Sequence, residues 1–239
     1  MLAGKLTEAA EAIDFAGQIV LRHEVRPALE SQLAFMRAFA GQGRASATER
    51  QEMLMTALRS GQRTGSATGI FSASLGLVDH CVAIRQEEKA RAHAEVAYRV
   101  ARAMQGLYIP AIAADALAAV LLRTSQWRYA AQLLDETEFP SSPYYALRRE
   151  TYAALLLLRE KQFRKAADAL LECKREAHRL GQFRTLAILL PDLALAQWRC
   201  GMHVQAQETA REAVPIVQLY GSFSMVHLAR EILKQIPVG

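Results

Sequence analysis

The chain has 239 residues, 51% hydrophobic and 22% charged, with 13 glycines and 7 prolines. Ala and Leu dominate and β-branched residues are sparse, which reads as soluble, folded and helical throughout. The formal charge of +5 is a mild basic excess that singles out no partner. Three cysteines, Cys81, Cys173 and Cys200, lie far apart with no CxxC. They are expected to be buried free thiols of a reducing, cytoplasmic setting, not a disulfide set or a zinc site.

The first predicted helix covers 4–22. Glu8, Glu11 and Asp14 interrupt the apolar run that a signal peptide needs. Ile13, Phe15, Ile19 and Val20 give this helix an apolar side with nothing before it to cover it. Either the chain continues something longer or that face meets a partner, self-association included. "GQGRAS" at Gly41 follows no strand and reads as a turn. "RSGQRTGSATG" (59–69) reads as a flexible loop between repeats. "RQEEKAR" starts a helix, with Glu87 and Glu88 at its positive end. Residues 114–123 are apolar at helical spacing, and "WRYAAQLLDE" follows after a short turn. "ETEFPSSPYY" (136–145) reads as a loop, then helices are expected over 145–159 and 163–180. Pro191 and Pro215 fall inside helical stretches, where a proline costs roughly 3 kcal/mol. Each predicts a short break, or a bend that shapes a pocket near Trp198. After Gly221, residues 222–236 form a last amphipathic helix that caps the array, with Ser222 or Ser224 as N-cap. Charges interrupt the longest apolar spans, so no membrane helix is expected.

One phrase recurs. "SQWRYAAQLL" and "KQFRKAADALL" place Ala130 and Ala166 in the same position. Ala9, Ala90 and Ala206 repeat it, with a weaker copy at Thr48. The spacings are 39, 42, 40, 36 and 40, which is the mark of a supersecondary unit used again and again. Each unit reads as helix A, a tight turn and helix B. The marker Ala lies early in helix B, where the two helices cross closely. Ala118, Ala154 and Ala194, twelve residues earlier, are the small partners on helix A, and Trp127 and Phe163 plug the turn.

These features resemble the tetratricopeptide repeat. The period exceeds that family's usual length of about 34, and the helix-A Trp and closing Pro of the family are mostly missing. Repeats of this length are more similar to the sensor arrays of MalT-type and LuxR-type bacterial regulators. The resemblance implies an all-α, right-handed superhelix of antiparallel helix hairpins, about six repeats in one domain spanning 1–239. It implies a protein- or peptide-binding module of a bacterial transcription-regulatory system. No helix-turn-helix follows the last repeat, so direct DNA binding is not expected.

No catalytic constellation is legible. The histidines 23, 80, 93, 178, 203 and 227 are scattered, and HExxH, GxGxxG, GxSxG and the P-loop pattern are absent from the sequence. A non-enzyme without metal or cofactor is expected. One pattern stands above background. Arg123, Arg159 and Arg199 recur at intervals of 36 and 40, the same as their repeats, at the end of helix A. They could serve the exposed carbonyls of three helix ends, worth about 0.3–1 kcal/mol each. They could also form a strip of guanidinium groups on the inner surface, suited to carboxylates or phosphates of an acidic partner. With Trp198 and Arg148 they make the candidate groove set. A rival reading puts a small molecule in the groove near Trp198 and Arg199. RNA binding is a third, disfavoured by A helices too rich in Leu and Ala for base reading.

Overall fold

The structure, a computed structural model, describes residues 46–124, 126–221 and 223–236. Among them are ten helices and no strand: α1 (Ala47–Thr64), α2 (Ala67–Ala83), α3 (Glu87–Arg102), α4 (Tyr108–Leu121), α5 (Trp127–Glu136), α6 (Pro143–Arg159), α7 (Phe163–Arg179), α8 (Phe183–Arg199), α9 (His203–Tyr220) and α10 (Phe223–Leu233). The fold is all-α. No helix among the described residues is long and apolar enough to cross a membrane. Helix 4–22, Ala9 and the turn at Gly41 lie outside the described residues. By packing, the chain divides between Val120 and Leu121 into two compact units.

One turn joins most consecutive helices. A helix ends on a residue with left-handed backbone: Gly65 (φ 66), Arg85 (φ 59), Lys161 (φ 61), Gly181 (φ 64) or Gly201 (φ 86). The next residue sends its N–H to the carbonyl five positions back. The bonds are Ser66 to Gly61 (2.9 Å), Gln86 to Cys81 (2.8 Å), Gln162 to Leu157 (2.9 Å), Gln182 to Ala177 (2.8 Å) and Met202 to Gln197 (2.9 Å), and Gln126 makes the same bond to Leu121 (3.1 Å) after α4. This is the helix-stop geometry in which a left-handed residue lets a later N–H satisfy an orphan carbonyl. The same residue then starts the next helix. The carbonyls of Gln86, Gln126, Gln162 and Met202 accept from the N–H of Ala90, Ala130, Ala166 and Ala206. So the four marker alanines are each the fourth residue of a helix B, and all four are 0% exposed. Their helix-A counterparts Ala118, Ala154 and Ala194 are buried as well.

Two sequence expectations in the first unit need correction. Thr48 is exposed near the start of α1 and is not the equivalent of the marker alanines. The fourth residue of α1 is Arg50, only 4% exposed, whose guanidinium pairs with Asp79 of α2 at 3.0 Å. Counted from Arg50 the spacings become 40, 40, 36 and 40. A search for small side chains could not see an arginine that fills the position with its stem and meets a carboxylate beyond it. The stretch 59–69 is also not a loop. It is helical except for Gly65 and Ser66, and Ser66 caps α2 through the N–H of Gly69 at 3.1 Å. Gly61 and Gly69 are buried inside helices, so these glycines serve close packing and not flexibility.

The 136–145 loop is narrower than expected. α5 ends at Glu136, Ser142 caps α6, and Pro143 opens it. Pro191 and Pro215 break nothing, since α8 and α9 run continuously through them. Ser224 lies within α10, which starts at Phe223.

In the unit from Leu121 onward, α6 packs on α8 past the intervening α7, and α10 packs on α8 and α9. These A-type helices form one layer. On the other side Glu212 of α9 holds Lys174 (2.5 Å) and His178 (3.1 Å) of α7. Leu233 and Ile236 cover Ala194, Ala206 and Ala210, which closes the last hairpin with apolar side chains.

In the unit up to Val120, Leu54, Ala57, Leu58, Ala73 and Leu77 make the contact between α1 and α2. Above it, His80 is fully buried, and neither ring nitrogen finds a hydrogen-bond partner among the described residues. Burial first, and then Arg50, hold its pKa below the ordinary 6.5, with Asp79 opposing. The unfolded chain therefore binds this proton more readily than the folded one. The contribution is intact above about pH 6.5 and is lost as pH falls below it. Thermal unfolding of wild type should weaken from pH 7 to pH 5, and His80→Leu should flatten that decline. A second test addresses the shared turn. Lys161→Gly should raise stability by about 0.5–1 kcal/mol, because it relieves a left-handed L-residue. Gly201→Ala should lower it by a similar amount, although an added Cβ there would meet no atom within 4 Å. Chemical denaturation of both variants checks the pair.

Candidate functional site

The three recurrent arginines all fall in the unit from Leu121 onward. Arg159 is the last residue of α6 and Arg199 the last of α8, while Arg123 follows the end of α4. Seven residues before Arg199, on the same stripe of α8, stands Asp192. It is the one acidic residue of that helix, in the run "LAILLPDLALAQW".

Asp192 is enclosed by protein atoms, yet part of its side chain remains accessible. Burial raises its pKa above the ordinary 3.8, and the guanidinium charges of Arg159 and then Arg123 oppose that rise. Two arginines from successive repeats thus act on one carboxylate. Among the described residues no donor hydrogen-bonds to that carboxylate. The opposition is incomplete: the two cations do not restore what the carboxylate loses in hydration. Arg159 itself is exposed.

Arg199 behaves differently. It is exposed, and its Nη2 donates to Gln235 Oε1 at 3.1 Å, beyond α10. Its position matches Arg159, but its partner belongs to the C-terminal segment. Trp198 packs with Ala194, Ala206, Ala210, Leu233 and Ile236, and meets His203 edge to face at 4.3 Å. The space beside Trp198 is therefore occupied by the C-terminal segment, and Pro191 opens no break in the helix that carries it. Arg148 is 3% exposed. Its guanidinium donates to Tyr152 Oη at 2.6 Å and lies 4.7 Å from that ring, so it is engaged inside α6. The charges of Arg159 and Arg123 both act on Asp192, while Arg199, Trp198 and Arg148 have other partners.

Sequence reasoning missed Asp192. The available signal was a single carboxylate in the most apolar A helix. It also missed a cleft of about 470 Å³ between α5 and α6, lined by Leu134, Asp135, Arg149, Glu150 and Leu156 among others. Residues 137–142 replace the tight turn here. Cys81 and Cys173 are buried thiols whose pKa burial pushes up, which makes them poor nucleophiles. No group of three His, Cys, Asp or Glu among the described residues could hold a metal ion.

The sequence matches no protein-family model. It matches no curated protein. Fold and site chemistry therefore carry the functional reading.

The raised pKa of Asp192 has a sign that can be checked. The folded state binds this proton more readily than the unfolded one, so stability falls as pH rises from about 3.8 through the folded pKa. Asp192→Asn should unfold at a higher temperature than wild type at pH 8 and show little difference at pH 4. Equal pH profiles for both proteins would mean that Asp192 is well hydrated.

Proposed function

We propose that this protein is a non-catalytic binding scaffold that grips an acidic protein or peptide segment through Arg123 and Arg159. The observation that carries the reading is that the charges of two repeat-related arginines, Arg159 and Arg123, both act on Asp192. A guanidinium offers a planar fork for carboxylate or phosphate, and a stack of hairpins presents such groups at regular intervals. The tetratricopeptide-like repeat, a right-handed superhelix, a place in a bacterial transcription-regulatory system and a cytoplasmic location all belong to this proposal. A small-molecule sensor is the second reading, favoured by the α5–α6 cleft, whose volume falls in the range of ligand pockets.

Fluorescence anisotropy with a labelled hexaglutamate peptide tests the first reading. The Arg123→Ala/Arg159→Ala double variant should bind at least about tenfold more weakly, measured well below its melting temperature, because loss of both cations also leaves the Asp192 carboxylate less compensated. Lys at both places should restore only part of the affinity, because it keeps the charge and loses the fork. Binding should weaken with salt, since exposed charges are screened over about 8 Å at physiological ionic strength. Equal affinity for wild type and the double variant would overturn the proposal.

A further inference from the structure

The cleft between α5 and α6 is bordered by charges that the chain itself leaves unused. Leu134 and Leu156, with Ala146 and Ala153, give it an apolar surface. Three ionisable side chains line the same space: Asp135 from α5, and Arg149 and Glu150 from α6. Among the described residues none of the three makes an ion pair or a side-chain hydrogen bond. We infer that this cleft binds a small zwitterion with an apolar body, the chemistry of a free α-amino acid, with Arg149 taking its carboxylate and Asp135 and Glu150 its ammonium group. This rests on the second reading above, the cleft as a ligand site, and adds the class of ligand.

Unpaired charges are not the habit of the surrounding helices. Next to Asp135, Glu136 accepts from Gln132 Nε2 at 2.7 Å. Next to Arg149, Arg148 donates to Tyr152. On α7, Arg164, Arg175 and Arg179 each pair with a carboxylate of their own helix. Arg149 and Glu150 are neighbours in sequence, so on a helix they point about 100° apart and do not face each other. Asp135 stands on the other wall. The three charges sum to one negative charge, and that balance selects the ligand. A simple anion would meet two carboxylates. A simple ammonium ion would leave Arg149 facing a second cation. An uncharged ligand would cover three charges and pair none of them, which is costly. A zwitterion brings a partner of the right sign to each. A guanidinium grips a carboxylate through two parallel hydrogen bonds, and an ammonium group has donors enough for both acids. The apolar body of the ligand then lies against Leu134 and Leu156. Ala146 and Ala153, seven residues apart on one stripe of α6, are exposed. A longer side chain at either place would fill the space that the ligand needs. The volume of about 470 Å³ suits a small molecule.

The probes are L-phenylalanine and two relatives with the same ring: phenethylamine, which lacks the carboxylate, and hydrocinnamate, which lacks the ammonium group. Each is titrated into the full chain at pH 7 and followed by calorimetry. Wild type should bind phenylalanine at least about tenfold more tightly than either relative. Arg149→Gln should bring phenylalanine down to about the level of phenethylamine, without weakening phenethylamine itself. Asp135→Asn/Glu150→Gln should bring it down to about the level of hydrocinnamate. A general loss of folding would weaken all three probes alike, so unequal responses report on the site. Ala153→Phe should abolish binding of phenylalanine, and Ala146→Leu repeats that test should the first variant fold poorly. A relative that binds wild type as tightly as phenylalanine, or Arg149→Gln that leaves phenylalanine unaffected, would overturn the zwitterion while the cleft stands as a site. Absence of binding by all three probes would overturn it equally. Phenylalanine binding that survives the filled cleft would defeat the cleft reading itself.

Discussion

The architecture depends on one hydrogen bond, repeated. At each tight junction an N–H reaches back to the carbonyl five residues earlier, and in five of them, at Gly65, Arg85, Lys161, Gly181 and Gly201, it does so across a left-handed residue. That bond ends one helix and begins the next within two to five residues, so the second helix must fold back against the first. Its first turn is then pressed into the preceding helix, and the fourth residue points at the crossing. At Ala90, Ala130, Ala166 and Ala206 the crossing leaves room for one methyl group. The recurrence of alanine follows from the recurrence of the turn. The two long junctions, 103–107 and 137–142, show the converse. Where the bond is not made, as between α5 and α6, a cleft lies between the helices.

Much of this was legible because alanine at a fixed period is a direct trace of the constraint. Where another residue met the same constraint, the trace vanished. Arg50 occupies the alanine position in α1 and is accommodated by Asp79, twenty-nine residues away. No local pattern could announce that pairing. The glycines of 59–69 carried two messages in one letter. Gly65 is a true turn residue at φ 66, whereas Gly61 and Gly69 are helix-packing residues. Composition reads all of them as flexibility, and only the register of the neighbouring helices separates them. The prolines were misjudged for a related reason. Pro191 and Pro215 each remove one donor from a ladder, but both helices are held by tertiary packing well beyond that single bond.

The candidate site was half legible. The interval between Arg123, Arg159 and Arg199 is a sequence fact, and it identified positions at helix ends without saying where the side chains go. The structure separates them by what lies beyond each helix. Past Arg199 the chain folds α10 over the last hairpin, and Gln235 takes the guanidinium. The C-terminal segment that seals Ala194, Ala206 and Ala210 also draws away the third arginine. Position in a repeat fixes the direction of a side chain, and the next element decides its partner.

Asp192 is the residue least explained by stability alone. Its helix neighbours Leu189, Leu190, Leu193 and Ala196 are buried, and an apolar side chain at 192 would extend the same pattern. A carboxylate there loses hydration, and two guanidinium groups fail to offset the loss, since its pKa stays raised despite them. A buried ion pair retained for stability would show the opposite sign, with the carboxyl pKa driven down by its cations. Natural cores seldom keep an ionisable group on unfavourable terms unless the strain serves a task.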